Sequence, residues 1–224
     1  AGEADGQTTN LEHALGGNLI DGFKLLFASR YLMLIAAFVL LTSWASTILI
    51  FQQADMITQA FPSKESRVTT FATVDLIVNI GAILVQLFGT GRLAQRYGVT
   101  ATLIISPLIM IVAYAAVLTS PVLMVLLAVV VFRRISEYAL AKPGREMLFT
   151  AVDQESKYKS KSIIDTAVAR FGDVSSAWLT AGFIAAGIGL GEIPAIGIAV
   201  SLLWGWVGLR LGRLYETRRE HVTG

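Results

Sequence analysis

Residues 122–140 read VLMVLLAVVVFRRISEYAL, an apolar run of membrane-crossing length with Arg133 and Arg134 in its second half. Glu137 follows one helical turn after Arg133, and Lys142-Pro143-Gly144 is expected to end the run. A guanidinium at the centre of a bilayer costs about 2.5–3.5 kcal/mol even on the most lenient scales. A span carrying two of them is sustained only where they face protein, water or an anion. The stretch therefore implies a bundle of membrane helices around a polar interior, and points to a solute pathway rather than a passive anchor.

Composition agrees. Of 224 residues, 54% are hydrophobic and only 15% charged, against roughly 25% charged in a soluble domain. Too little polar surface remains to cover a water-soluble helical domain, so an all-α polytopic membrane protein is expected. Cysteine is absent, which removes disulfides, thiolate nucleophiles and Cys metal sites. The two histidines, His13 and His221, lie in polar terminal stretches. No metal, cofactor or nucleic-acid partner is expected, and no Walker loop, dinucleotide fingerprint or nucleophile elbow occurs. An enzymatic role is not expected.

Six spans are expected, at about 31–53, 68–88, 99–118, 121–141, 162–187 and 192–212, each near the roughly 20 residues that cross the hydrocarbon. A polar tail (1–17) and an interfacial amphipathic helix (18–30), with Leu19, Phe23, Leu26 and Phe27 on one face, precede them; a tail (213–224) follows. The chain begins with Ala and has no signal-peptide pattern, as expected of a processed or excised portion of a longer chain. Thr119-Ser120-Pro121 and the Gly187–Pro194 segment read as tight turns. Basic residues concentrate before span one, between two and three, between four and five, and after six, whereas the opposite side carries Lys64 and Arg67. The positive-inside rule then puts both termini in the cytoplasm.

Three spans carry polar stripes. Thr42, Ser46 and Gln53 share a side of the first, and Asp75, Asn79 and Gln86 of the second. In the fifth, Ser162, Asp165, Ala169, Asp173, Ser176 and Thr180 fall within about 80° of arc at roughly 100° per residue. A shared aqueous cavity would satisfy all three; close helix packing through small hydroxylated residues is the alternative. Arg133 can pair with Glu137 along its helix. Asp75 is placed to meet Arg133 or Arg134, and Asp165 and Arg170 require partners on other helices. A guanidinium left unpaired in such a cavity suits a phosphate or carboxylate. Between Lys142 and Lys161 an amphipathic surface segment is expected, whose Lys142, Arg145, Lys157 and Lys159 face anionic lipid or recruit an anionic solute.

The stretch Arg134–Asp173, RISEYALAKPGREMLFTAVDQESKYKSKSIIDTAVARFGD, resembles the signature region of the bacterial and plastid ATP/ADP translocase family, most specifically in Lys142-Pro143-Gly144-Arg145-Glu146 and from Lys157-Tyr158-Lys159 to Asp165. Residues 91–98, GRLAQRYG, resemble the basic turn between the second and third helices of a major facilitator half. The resemblance covers residues 19 to 215. It implies the carboxy-terminal six-helix half of a major-facilitator-like antiporter in the bacterial inner membrane. A second six-helix half, or another membrane subunit, would complete it, and a nucleotide or other phosphate-bearing anion would be its substrate. Arg133, Arg134 and Arg170 would meet the anion; Asp75, Asp165 and Asp173 would pair with them in one state and release them in another. Glu137, Asn79 and Gln53 would line the route. The competing expectation is a non-transporting accessory subunit of a larger membrane complex, its charges paired between helices or subunits.

Overall fold

The computed structural model describes residues 19–189 and 191–223, so the expected tail 1–17 lies outside the described residues. The chain is an all-α membrane protein. After α1 (Leu19–Ala28) come α2 (Arg30–Ala60), α3 (Lys64–Val85), α4 (Gly91–Thr119), α5 (Leu123–Ser136), α6 (Lys142–Leu148), α7 (Gln154–Ile163), α8 (Ala169–Ala185) and α9 (Ile193–Thr223). Hydroxyl and carboxyl caps start several of them: Ser29 accepts from the Leu32 N–H, Ser63 from Ser66 and Asp153 from Ser156. Each satisfies one of the orphan amides that a helix start exposes.

Among the described residues, four helices are long and apolar enough to cross a membrane: Arg30–Ala60, Lys64–Gly89, Gln95–Thr119 and Ile193–Arg218. The expected fourth and fifth spans differ. Their α-helical parts, α5 and α8, have 14 and 17 residues, and each joins a further helix through a π-helical turn, Glu137–Ala141 and Ile164–Val168. A third π turn, Gln86–Thr90, follows α3.

Several boundaries shift for identifiable reasons. Lys142-Pro143-Gly144 does not end a helix. In the π turn the Lys142 N–H bonds the Glu137 carbonyl, and Pro143 falls in the first turn of α6, where its missing N–H breaks nothing. The basic segment after α3 is helical rather than a turn, with the break at Gly98 (φ 77°), a left-handed backbone that glycine adopts without steric penalty. The terminal helix continues beyond 212 to Thr223. In α1, Leu26 packs inward whereas Phe23 and Phe27 stay exposed; the Leu19 side chain lies outside the described residues.

The core lies where α2, α4 and α9 meet, around Ile35, Phe38, Leu103, Tyr114, Trp204 and Leu211. Phe38 and Trp204 rings sit 5.5 Å apart. The Tyr114 hydroxyl, buried in this core, donates to the Ala45 carbonyl. One end of the bundle is knit by polar contacts: Tyr31 Oη donates to Leu148 O at 2.8 Å, Thr150 Oγ1 lies 3.1 Å from Tyr215 Oη, and Thr100 Oγ1 donates to Glu216 at 2.7 Å.

Candidate functional site

On the other side of α2 from α9, the polar residues of α2, α5 and α8 converge. Thr42, Ser43, Ser46, Ile50 and Gln53 of α2, Arg133, Arg134, Glu137 and Tyr138, and Asp173 of α8 line a cavity of about 350 Å³. The wall from 133 to 138 crosses from α5 into its π turn. π turns concentrate at functional sites because the inserted residue re-aims side chains that regular periodicity would stack.

The two arginines are held differently. Arg133 is buried; its Nη1 donates to Glu137 at 2.8 Å and to Ser46 Oγ at 2.9 Å. Its Nε is buried with no hydrogen-bond acceptor, an arrangement that costs free energy unless an incoming group accepts from it. Arg134 reaches across to Asp75 on α3. Its guanidinium carbon also lies 6.0 Å from the centre of the Tyr138 ring, and Lys142 Nζ lies 4.3 Å from the same centre. Of the two partners open to Asp75 in the sequence, Arg134 is the one it meets.

The polar stripes resolve into different roles. In the fifth expected span only Asp173 lines the arginine cavity. Ser176 donates to Thr47 Oγ1 at 2.8 Å, and Trp44 Nε1 to Ser175 Oγ at 2.9 Å, so the deeper hydroxyls pack α8 on α2. Gly172 permits that approach, since a Cβ there would lie 2.9 Å from Ser43 Cβ. Asp165 pairs instead with Arg145 at 3.2 Å, and Lys161 pairs with Glu146. Arg170 is exposed and does not line the cavity.

Asn79 and Gln86 line a second crevice of about 670 Å³ between α3 and α5–α6, with Ala82, Ile83, Tyr138, Lys142, Pro143 and Glu146. Tyr138 is common to both spaces. Lys157, Tyr158, Lys161, Ser162 and Asp165 border a third; Lys159 is only partly buried. The sequence reading missed Ser43 and the pairs from Arg145 and Lys161. The only signal for them was their charge, because both pairs cross between separate elements. Among the described residues no three His, Asp or Glu side chains are grouped to hold a metal ion.

Comparison with known proteins places the chain in a family. Residues 7–123 and 113–207 match the family described as TLC ATP/ADP transporter. Relatives include the ADP,ATP carrier protein 1 of Chlamydia muridarum, 23% identical over 225 residues, covering 87% of this chain and 41% of the relative. The carrier of the same name from Chlamydia trachomatis serovar D is 22% identical over 222 residues, covering 87% and 42%. That from Chlamydia pneumoniae is 24% identical over 190 residues, covering 75% and 36%. The chain thus spans about two-fifths of the length of these curated relatives. No solved structure matches.

Proposed function

Because the chain belongs to the TLC ATP/ADP transporter family, we propose that it forms one six-span half of an alternating-access exchanger for nucleotides, with Arg133 and Arg134 as the phosphate-binding groups. The observation that carries this reading is the cavity itself: Arg133 and Arg134 both line a space of about 350 Å³ between three helices.

The chemistry is a counter-ion exchange. Without substrate, Glu137 and Asp75 occupy the two guanidinium groups. A phosphate chain offers more oxygens in the bidentate geometry that arginine favours, so it displaces the carboxylates. Glu137 lies on the same rod as Arg133, and its release changes little beyond the cavity. Asp75 lies on α3, so its release removes a tie between α3 and α5. Substrate binding is thereby coupled to the relative freedom of two helices, as rocking between inward- and outward-open states requires. The two cavity arginines face three carboxylates, Glu137, Asp173 and Asp75, so the positive surplus that a polyphosphate needs comes from Lys142 and from a facing half.

That facing half is supplied by the same longer chain or by a partner. α3 and the π turn after it carry a long exposed apolar surface, including Phe71, Leu76, Ile80, Leu87 and Phe88, which lipid and a second half would share. The distribution of basic residues supports a cytoplasmic position for both termini, and the bacterial source of the relatives supports a bacterial inner membrane.

The second reading is an accessory subunit that keeps the scaffold and has lost transport, favoured by the fact that both cavity arginines already have carboxylate partners. Binding of ADP to the protein extracted in mild detergent, with any partner that copurifies, separates the two. Exchange requires saturable binding that Arg134→Ala abolishes while the melting temperature stays within a few degrees. Equal binding by that variant sinks the role given to Arg134. Absence of any nucleotide binding, together with a fixed-stoichiometry complex in native mass spectrometry, selects the accessory subunit.

A further inference from the structure

The larger crevice beside the arginine cavity has a different chemistry. Ala82, Ile83, Pro143 and the Tyr138 ring give it apolar walls, two side-chain amides, Asn79 and Gln86, open on it, and Lys142 and Glu146 complete its lining with one charge of each sign. We propose that this crevice binds the planar base of the nucleotide while the arginine cavity binds its phosphates, with Tyr138 as the wall between the two compartments. The inference rests on the nucleotide-exchange reading above and locates the base within it.

Three observations carry it. First, the two spaces adjoin through one residue, Tyr138, which stands one helical turn from Arg134. Side chains so related have Cβ atoms about 5–6 Å apart, comparable to the ribose that separates a base from its phosphates. Second, the backbone that carries Tyr138 is tied across the crevice. Gln86 Nε2 donates to the Tyr138 carbonyl at 2.8 Å, across from one π turn to the next. The ring face is electron-rich and already attracts a cation, Lys142 Nζ at 4.3 Å. A base that stacks there displaces the ammonium, which is then free to turn toward phosphate. Third, Asn79 and the remaining amide groups of Gln86 offer a donor and an acceptor in the paired pattern by which carboxamides recognise a purine edge. An apolar slot with a few polar groups is the usual form of a small-molecule site.

The crevice opens beside the exposed apolar ridge of α3, so a lipid chain is the competing occupant, and the test separates them. Ile83 is exposed, so Ile83→Trp narrows the slot without disturbing the core. Asn79→Leu removes one amide while keeping the branched shape and number of heavy atoms of the side chain. Calorimetric titration of the detergent-extracted protein with ADP and, separately, with inorganic diphosphate reads the two compartments apart. The expected result is a tenfold or greater loss of ADP affinity in Ile83→Trp, a smaller loss in Asn79→Leu, and unchanged diphosphate binding in both. Unaltered ADP binding, or equal losses for ADP and diphosphate, overturns the assignment of the base while leaving the exchange reading intact. Loss of a copurifying phospholipid from Ile83→Trp with ADP binding unaltered also overturns it and makes the crevice a lipid site. Failure of the unmodified protein to bind either probe removes the exchange reading, and this inference with it.

Discussion

The seam between α4 and α9 and the wall formed by α3, α5 and α8 are built from the same helical material with opposite priorities. At the seam, α9 turns glycines toward bulky partners. A Cβ at Gly197 would lie 2.5 Å from Tyr114 Cζ, and one at Gly212 would collide with Thr100, including its backbone. Ridge meets groove closely, and Ser201 satisfies its hydroxyl within its own helix by donating to Gly197 O at 2.7 Å. The opposite wall leaves charge in the membrane region, two sizeable spaces, π turns, and a helix, α3, of which only Val74, Val78 and Ala82 are buried. The contrast assigns the seam to holding shape and the wall to changing it. Ionisable groups inside a bilayer are costly and by default mark a functional site.

The most disruptive test of that division strikes the seam. Gly212→Val drives side-chain atoms into the Thr100 backbone, which cannot move aside as a flexible side chain would. Overpacking of this kind costs about 1–3 kcal/mol and more where the backbone must shift. The expected outcome is loss of monodisperse protein in detergent, or a melting temperature lowered by roughly 10 °C, in line with the several degrees that each kcal/mol moves a domain. A variant that melts normally would deny the seam its scaffolding role.

At the wall, the expected effects fall on ligand rather than fold. Arg133→Ala leaves Glu137 unpaired beside the cavity and removes the unmatched Nε. ADP affinity should drop by about a hundredfold, equivalent to about 2.7 kcal/mol, with a melting shift smaller than that of Gly212→Val. Arg133→Lys keeps the charge but not the planar fork, and should recover only part of the loss. Titration of both variants is the check; full recovery by Lys would reduce Arg133 to a point charge. Asp75→Asn acts in the opposite direction. It frees Arg134 from a competitor and should tighten ADP binding about threefold to tenfold, the yield of about one kcal/mol. Weaker binding in Asp75→Asn would mean that Asp75 orients Arg134 rather than competing for it.

The sequence disclosed the seam and the wall unequally. Hydropathy marks the long apolar helices, and four-residue spacing sets Glu137 against Arg133. Asp75 narrows to Arg134 only in three dimensions, because one residue of helical rotation separates the two candidate arginines. The π turns leave no compositional mark: each inserts a single residue into an otherwise helical pattern, which is why Lys142-Pro143-Gly144 reads as a stop and is not one. The fifth-span stripe is legible as polar but not as divided, since Ser176 bonds to α2 and Thr180 to its own helix while Asp173 lines the cavity. Arg170 shows the same limit, being near Asp173 in rotation but outside the space that Asp173 enters.

The smallest expected effect lies away from both regions and calibrates them. Asp153 caps α7, its carboxylate accepting from the Ser156 N–H at 2.9 Å. Hydrogen bonding to that amide holds its carboxyl below the usual carboxylate range. A depressed folded-state pKa contributes stability that is fully present above the unfolded value, about 3.9, and is lost as pH falls through the folded one. The group is exposed, so the effect is small. Asp153→Ala should cost about 1 kcal/mol, the ordinary cost of losing an N-cap, whereas Asp153→Asn retains most of the cap. The Ala variant should therefore melt only slightly earlier at neutral pH and converge on the unmodified protein as pH falls through the depressed folded-state value, where the cap loses its charge. Its ADP affinity should be unchanged at every pH. A binding defect in Asp153→Ala would show that the α6–α7 surface segment communicates with the cavity, carrying the working wall further along the chain than the π turn at Glu137–Ala141.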